Sequence, residues 1–189
     1  MYLFFDTETT GIPRNYNSPI TDLENWPRMI SIAWVMYDDN RNLFESVEWL
    51  IKPEGFTIPE AVSAIHHITT EIAERNGIPL REALERFSFA LSQASVVVGH
   101  NLSYDVKIVG AEMLRCGIEN RLQSKRMICT MKASTDYCKI PGPYGNKWPK
   151  LNELVGILFK EELVGAHDAL TDIKATARCY FQLERLGVL

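Results

Sequence analysis

The sequence predicts an α/β fold built on a mixed five-stranded sheet, three strands antiparallel and two parallel, with helices on both faces. Three observations carry that expectation. The first third of the 189 residues is rich in β-branched and aromatic side chains in strand-length runs. After Pro59 the spacing of apolar residues becomes helical. A short apolar run, SVVVG at Ser95 to Gly99, then stands between two helical stretches, where a buried parallel strand belongs.

Taken in order, Tyr2 to Asp6 reads as a first strand, Met29 to Tyr37 (MISIAWVMY) as a second and Leu43 to Ile51 (LFESVEWLI) as a third. The linker DDNRN, Asp38 to Asn42, has the turn residues that make the last two a hairpin. In PLREALERFSFALSQ the residues Leu80, Leu84, Phe87 and Leu91 fall on one helical face. Beyond SVVVG a helix is expected from about Leu102 to Arg115, striped by Leu102, Val106, Val109 and Met113 and capped by Asn101. Met127 to Cys129 supplies a fifth, short strand. Pro141, Gly142, Pro143, Gly145 and Pro149 break the chain into a loop, and a last helix runs from about Asp168 to about Leu186.

The length and the 46% hydrophobic content suit a single domain spanning residues 1–189 with a substantial core. No stretch approaches the ~20 apolar residues that a bilayer span requires, and the N-terminus lacks the pattern of a secretory signal, so a soluble cytoplasmic protein without a membrane partner is expected. Cys116, Cys129, Cys138 and Cys179 form no CxxC pair and are read as reduced packing residues. The net charge of -4 argues against a protein that coats nucleic acid by bulk attraction. The charge is uneven, however. Leu114 to Lys150 holds eight Lys or Arg against Glu119 and Asp136, a window of +6 that leaves -10 for the rest of the chain. Such a window is either a solvated surface or a path for a polyanion, and Lys147 and Lys150 are its candidates for substrate contact.

Asp6 and Glu8 pose the central problem. Side chains two apart on a strand project from one face, so both carboxylates share a small volume at the end of an apolar run. Asp105 borders the buried face of the helix after SVVVG. On the last helix Ala169, Asp172, Ile173, Thr176 and Tyr180 share a face, which turns a fourth carboxylate towards the sheet. Two like charges 4 Å apart repel by about 4 kcal/mol at an effective dielectric of 20. Four converging acids therefore need bound cations or raised pKa values. Oxygen donors favour Mg²⁺ or Mn²⁺, and two such ions suit phosphoryl chemistry.

FFDTETTG, GHNLSYD at Gly99 to Asp105 and HDALTD at His167 to Asp172 resemble the three exonuclease motifs of the DnaQ-like, DEDDh family of 3′-to-5′ exonucleases, the family of polymerase III epsilon-like proofreading subunits. The resemblance spans nearly the whole chain. It implies a ribonuclease H-like fold and a two-metal hydrolysis that releases nucleoside 5′-monophosphates from the 3′ end of a single strand, DNA in the first instance. It further implies that Asp6 bridges both ions, that Glu8 and Asp172 hold one, that Asp105 supports the other, and that His167 is the general base. A tyrosine base would stand four residues before the final Asp, and that position is Asp168 here. Thr7, Glu8, Thr9 and Gly11 would lie beside the terminal nucleotide, with His66 and Asn101 as further substrate contacts. His67 stands where the family usually has Gly.

Other readings are an exoribonuclease trimming RNA ends, a haloacid-dehalogenase-like phosphatase, and a non-catalytic nucleic-acid-binding module. DTET resembles the phosphatase motif DxDxT, but Glu in the second place and the HxxxxD ending count against it. All five catalytic positions are intact, which counts against a degenerate module. The chain could act alone or as a subunit beside a DNA polymerase.

Overall fold

The computed structural model describes residues 1–165 and 168–189. Its centre is a five-stranded sheet in the order β3-β2-β1-β4-β5, formed by β1 (Tyr2–Thr9), β2 (Met29–Tyr37), β3 (Leu43–Leu50), β4 (Val96–Gly99) and β5 (Arg126–Cys129). β1 to β3 are antiparallel neighbours, while β4 runs parallel to β1 and β5 parallel to β4. The fold is ribonuclease H-like, as the sequence predicts.

Alternation along the strands sends neighbouring residues to different layers. Leu3, Phe5, Ile32 and Trp34 face a core closed by α3 (Leu80–Gln93) and α4 (Ser103–Cys116), where Phe87 and Leu84 are fully buried. Phe4, Ala33, Val35 and Val98 face the opposite layer, against Ile173, Ala177 and Tyr180 of α8 (Ala169–Arg185). Behind α8 packs α7 (Leu151–Phe159), with Leu154 and Val155 on Cys179 and Leu183. Burying each large side chain in these cores stabilises the fold by roughly 1.5–3 kcal/mol. Among the described residues no helix is long and apolar enough to cross a membrane.

Several boundaries differ from the sequence expectation. β1 continues to Thr9, because Asp6, Thr7 and Glu8 keep pairing with Ala33, Ile32 and Ser31 before a bulge at Glu8/Thr9. The acids thus stand within a paired strand and not beyond its end. The third strand stops at Leu50, with Ile51 making an isolated bridge to Ile78. Helices α1 (Glu60–His66) and α2 (Thr70–Asn76) are too short for their periodicity to stand out. So are α5 (Thr130–Ala133) and α6 (Thr135–Cys138). The Pro/Gly segment expected as a loop contains a small hairpin, β6 (Pro141–Gly142) and β7 (Gly145–Asn146).

Asn101 does not cap α4 with its side chain. It takes a left-handed conformation, φ +63°, which Asn tolerates, and the turn before the helix is closed by Tyr104 N–H on its carbonyl. Asp168 does cap α8, its Oδ1 accepting the Thr171 N–H at 2.7 Å.

Candidate active site

The carboxylates converge from three elements. Asp6 and Glu8 leave β1 on the α8 side of the sheet, opposite the small residues Ala33 and Ser31 of β2. Asp172 comes from the first turn of α8. Asp105 comes from the first turn of α4, on the other layer, and is buried. Thr7, between the two β1 acids, points to that other layer and holds Asp105 Oδ1 twice, through its hydroxyl at 2.8 Å and its backbone N–H at 3.1 Å.

The electrostatics match a cluster under mutual repulsion. Burial, then the charges of Asp105, Glu8 and Asp172, hold the Asp6 carboxyl well above the usual range. Burial and then Asp172, Asp105 and Asp168 push Glu8 up to about 8. Asp105 is pushed up to about 7 by burial, against the lowering effect of its bonds from Thr7. An all-oxygen donor set of this charge fits a hard divalent cation, which would relieve the desolvation and the repulsion together. Asp6, Glu8, Asp105 and Asp172 are the residues that could hold it. Among the described residues no group of three or more His, Cys, Asp or Glu side chains is already gathered as a metal-ready cluster.

Beside the acids lies a cavity of about 280 Å³ lined by Thr7, Glu8, Thr9, Gly11, His66 and Asn101 together with Ile12, Tyr16, Val62, Ile65 and Tyr104. Six residues named from the sequence as substrate contacts thus share one recess. Lys147 and Lys150 are not part of it. The aliphatic rim is new: Ile12 and Ile65 are 75% and 52% exposed, and the irregular segment from Gly11 to Arg28 gave no periodic signal for the first of them. An isoleucine immediately after the acidic motif was the only hint available. Tyr104 is anchored from both sides, its hydroxyl donating to Gly11 O at 2.8 Å and lying 2.7 Å from Thr9 Oγ1.

His66 is buried at the end of α1, and its Nδ1 accepts the Ile68 N–H at 3.1 Å, which puts the proton of the neutral ring on Nε2. Among the described residues Nε2 has no hydrogen-bond partner. His66 and Glu8 also line a second cavity of about 320 Å³ that reaches Glu48 and Asp168, so these two side chains stand between both recesses. His67 takes φ +61° as the C-cap of α1, the left-handed position that favours Gly, which explains why a glycine fits there. His167 lies outside the described residues.

The basic window does not form one surface. Arg115 is turned inward to Glu112 at 3.2 Å, Arg121 pairs with Glu119, and Lys125 holds the carbonyls before β4. Of the window's basic residues only Lys132, Lys139, Lys147 and Lys150 follow β5 in the chain. His100, without a role from sequence, ties this last region to β4: its rings nitrogens lie 3.0 Å from Thr130 Oγ1 and 3.0 Å from Pro149 O.

The model of the RNase T exonuclease family matches residues 3–180. The chain belongs to that exonuclease family. Among curated relatives, it is 32% identical over 112 residues to the DNA polymerase III subunit epsilon of Treponema pallidum, covering 59% of this chain and 46% of the relative. It is 29% identical over 118 residues to the PolC-type DNA polymerase III of Pediococcus pentosaceus, covering 62% of this chain and 7% of that protein. The chain therefore spans less than half the length of these relatives. Its fold resembles E. coli Exonuclease I solved with a dA16 oligonucleotide, at TM-score 0.75 and 18% identity over 97% of this chain and 40% of the other. It also resembles Exonuclease X solved with 5′-overhanging duplex DNA, at TM-score 0.66 and 21% identity over 99% and 93% of the two chains.

Proposed function

We propose that this exonuclease-family protein removes nucleoside 5′-monophosphates from the 3′ end of single-stranded nucleic acid, with DNA as the first substrate to test. The observation that carries the reading is the set of four carboxylates converging from β1, α4 and α8, three of which are raised far above their usual pKa, beside a recess walled by Thr7, Thr9, Gly11 and Tyr104. Solved neighbours of the same fold hold single-stranded or overhanging DNA, which supports the choice of substrate.

In this reading Asp6, Glu8, Asp105 and Asp172 hold two divalent cations, Mg²⁺ or Mn²⁺, whose chemistry when bound is to activate water and to stabilise charge on the attacking and leaving oxygens. The terminal nucleotide enters the recess, its base against the Ile12 and Ile65 rim and its sugar near Glu8 and the β1 backbone. His66 offers its Nε2–H to the bound nucleotide. Thr7 keeps Asp105 in one rotamer. His167 accepts the proton of the attacking water, a task for which an imidazole of pKa near 6.5 is suited at neutral pH. Asp168, in the place a tyrosine base would take, caps α8.

The test is digestion of a 5′-labelled single strand with Mg²⁺ and with EDTA, on matched DNA and RNA. Stepwise shortening from the 3′ end with release of 5′-monophosphates is expected only with metal. Release of phosphate alone would favour a phosphatase, and binding without cleavage a non-catalytic module. His167→Ala is expected to lower kcat by about 10²- to 10⁴-fold while leaving stabilisation by Mg²⁺ intact. Parental turnover in that variant would remove His167 from the mechanism.

A further inference from the structure

The exposed hairpin β6–β7 has no part in the site described so far. Its tip residue Tyr144 is fully exposed, and Trp148, just after β7, is 59% exposed. Surface aromatics of this size lack any packing reason to be there. The hairpin is nevertheless a shaped element: a Cβ on Gly142 would meet Lys147 Cβ at 2.9 Å and Gly145 O at 3.1 Å, and Gly145 takes φ +116°. Lys147 N–H closes it on Ile140 O at 2.9 Å.

Four lysines, Lys132, Lys139, Lys147 and Lys150, stand in this stretch of the chain, one of them beside a ring. The Lys132 ammonium lies 5.7 Å from the Trp148 ring centroid. Lys147 is held by Glu153 at 2.5 Å, whereas the described ion pairs take neither Lys132, Lys139 nor Lys150. Aromatic faces interleaved with unpaired lysines form the combination that receives a single strand, stacking its bases and tracking its phosphates.

The hairpin is also connected to the catalytic region. Lys132 lines a cavity of about 910 Å³ whose other wall includes Leu102 and Ser103, at the start of α4 just ahead of Asp105. Pro149, next to Trp148, is fixed through His100 to the end of β4.

We propose that Tyr144 and Trp148, flanked by Lys132, Lys139 and Lys150, form a stacking platform for the nucleotides upstream of the 3′ terminus, reached along the cavity between α4 and α5. The proposal rests on the reading of the acidic site as the place where the 3′ end is cleaved. Stacking is indifferent to the sugar, so DNA and RNA single strands share it.

The experiment measures fluorescence anisotropy of 5′-labelled dT3, dT12 and U12 with Ca²⁺ in place of Mg²⁺, alongside turnover of thymidine 5′-(p-nitrophenyl phosphate) with Mg²⁺. Tyr144→Ala with Trp148→Ala is expected to weaken dT12 and U12 about 10- to 100-fold. Binding of dT3 and turnover of the small ester should stay parental. Tyr144→Ala alone, at a position where nothing can unfold, should weaken dT12 about 5-fold or more, and Tyr144→Phe should restore it. Parental dT12 affinity in the folded double variant would overturn the proposal and leave the hairpin to a protein partner or to solvent. Hairpin-dependent dT12 binding by a protein that hydrolyses neither substrate would instead overturn the catalytic reading and keep the platform.

Discussion

Asp105 and Glu112 stand two turns apart on α4, both buried and both carboxylates, yet their surroundings are opposite. Glu112 Oε1 accepts from Arg28 Nε and from Met29 N–H, each at 2.9 Å, and Arg115 Nη1 lies 3.2 Å away. Asp105 has two neutral donors from Thr7, and its charge adds to those of Asp6 and Glu8. The first acid has its countercharge within the protein, all of it on Oε1, while its Oε2 has no hydrogen-bond partner among the described residues. The second has no described ion pair, and burial pushes it up to about 7. One helix thus carries a carboxylate paired to arginine and one that the proposed mechanism assigns to metal, and their partners tell them apart where burial does not.

The largest effect that would break this distinction is on folding free energy. Glu112→Ala leaves two arginines beside an empty space and should destabilise the protein by about 3–5 kcal/mol. Asp105→Asn keeps an acceptor for Thr7 while removing a repelled charge, so it should stabilise the metal-free protein at pH 7.5. Urea titration without divalent ions gives both values; a similar loss in both variants would erase the contrast.

Next in size is the response to metal. At a hundredfold excess over its Kd, Mg²⁺ should stabilise the native state by about 2.7 kcal/mol. Asp6→Asn should flatten that response and Glu112→Gln should preserve it, as melting curves with and without Mg²⁺ will show.

The pH dependence sharpens the comparison further. Glu8 and Asp105 ionise near 4.5 and 3.8 in an ordinary setting but near 8 and 7 in the folded chain. Between these limits the native state holds more protons than the unfolded one, so the stabilising contribution present at low pH is lost as pH rises towards 8. The metal-free protein should lose up to about 1.4 kcal/mol per pH unit for each such proton. Denaturation at pH 5, 6.5 and 8 tests the slope, which saturating Mg²⁺ should remove and Glu8→Gln reduce.

The smallest effect separates two roles within one side chain. Asp168 caps α8 and also adds to the repulsion on Glu8. Asp168→Ala should cost about 1 kcal/mol, whereas Asp168→Asn, which can still cap, should stay within a few tenths. Equal losses in thermal melts would mean that the charge, not the cap, matters there.

Much of this was legible in the sequence because it depends on period. The β-branched and aromatic content of MISIAWVMY marked a strand, the stripe Leu80, Leu84, Phe87, Leu91 marked a helix face, and the two-residue spacing of Asp6 and Glu8 placed both acids on one side of β1. What was hidden depends on partners far away in the chain. Nothing near Thr7 announces that it will hold Asp105, and nothing in the local composition around Arg115 separates it, committed to Glu112, from the lysines that no described ion pair takes. The segment from Pro141 to Pro149 read as a loop because a hairpin of two-residue strands is too short to show alternation.

The interleaving of Asp6, Thr7 and Glu8 also bears on how this protein tolerates change in length. The strand hands its acids to one layer and the hydroxyl that steadies Asp105 to the other. Loss or gain of a single codon between Leu3 and Asp6 would exchange these assignments at once, turning the hydroxyl towards α8 and the acids towards α4. No partial fault is available to such an indel, so the segment should accept substitutions one by one while being closed to insertions and deletions of a single residue.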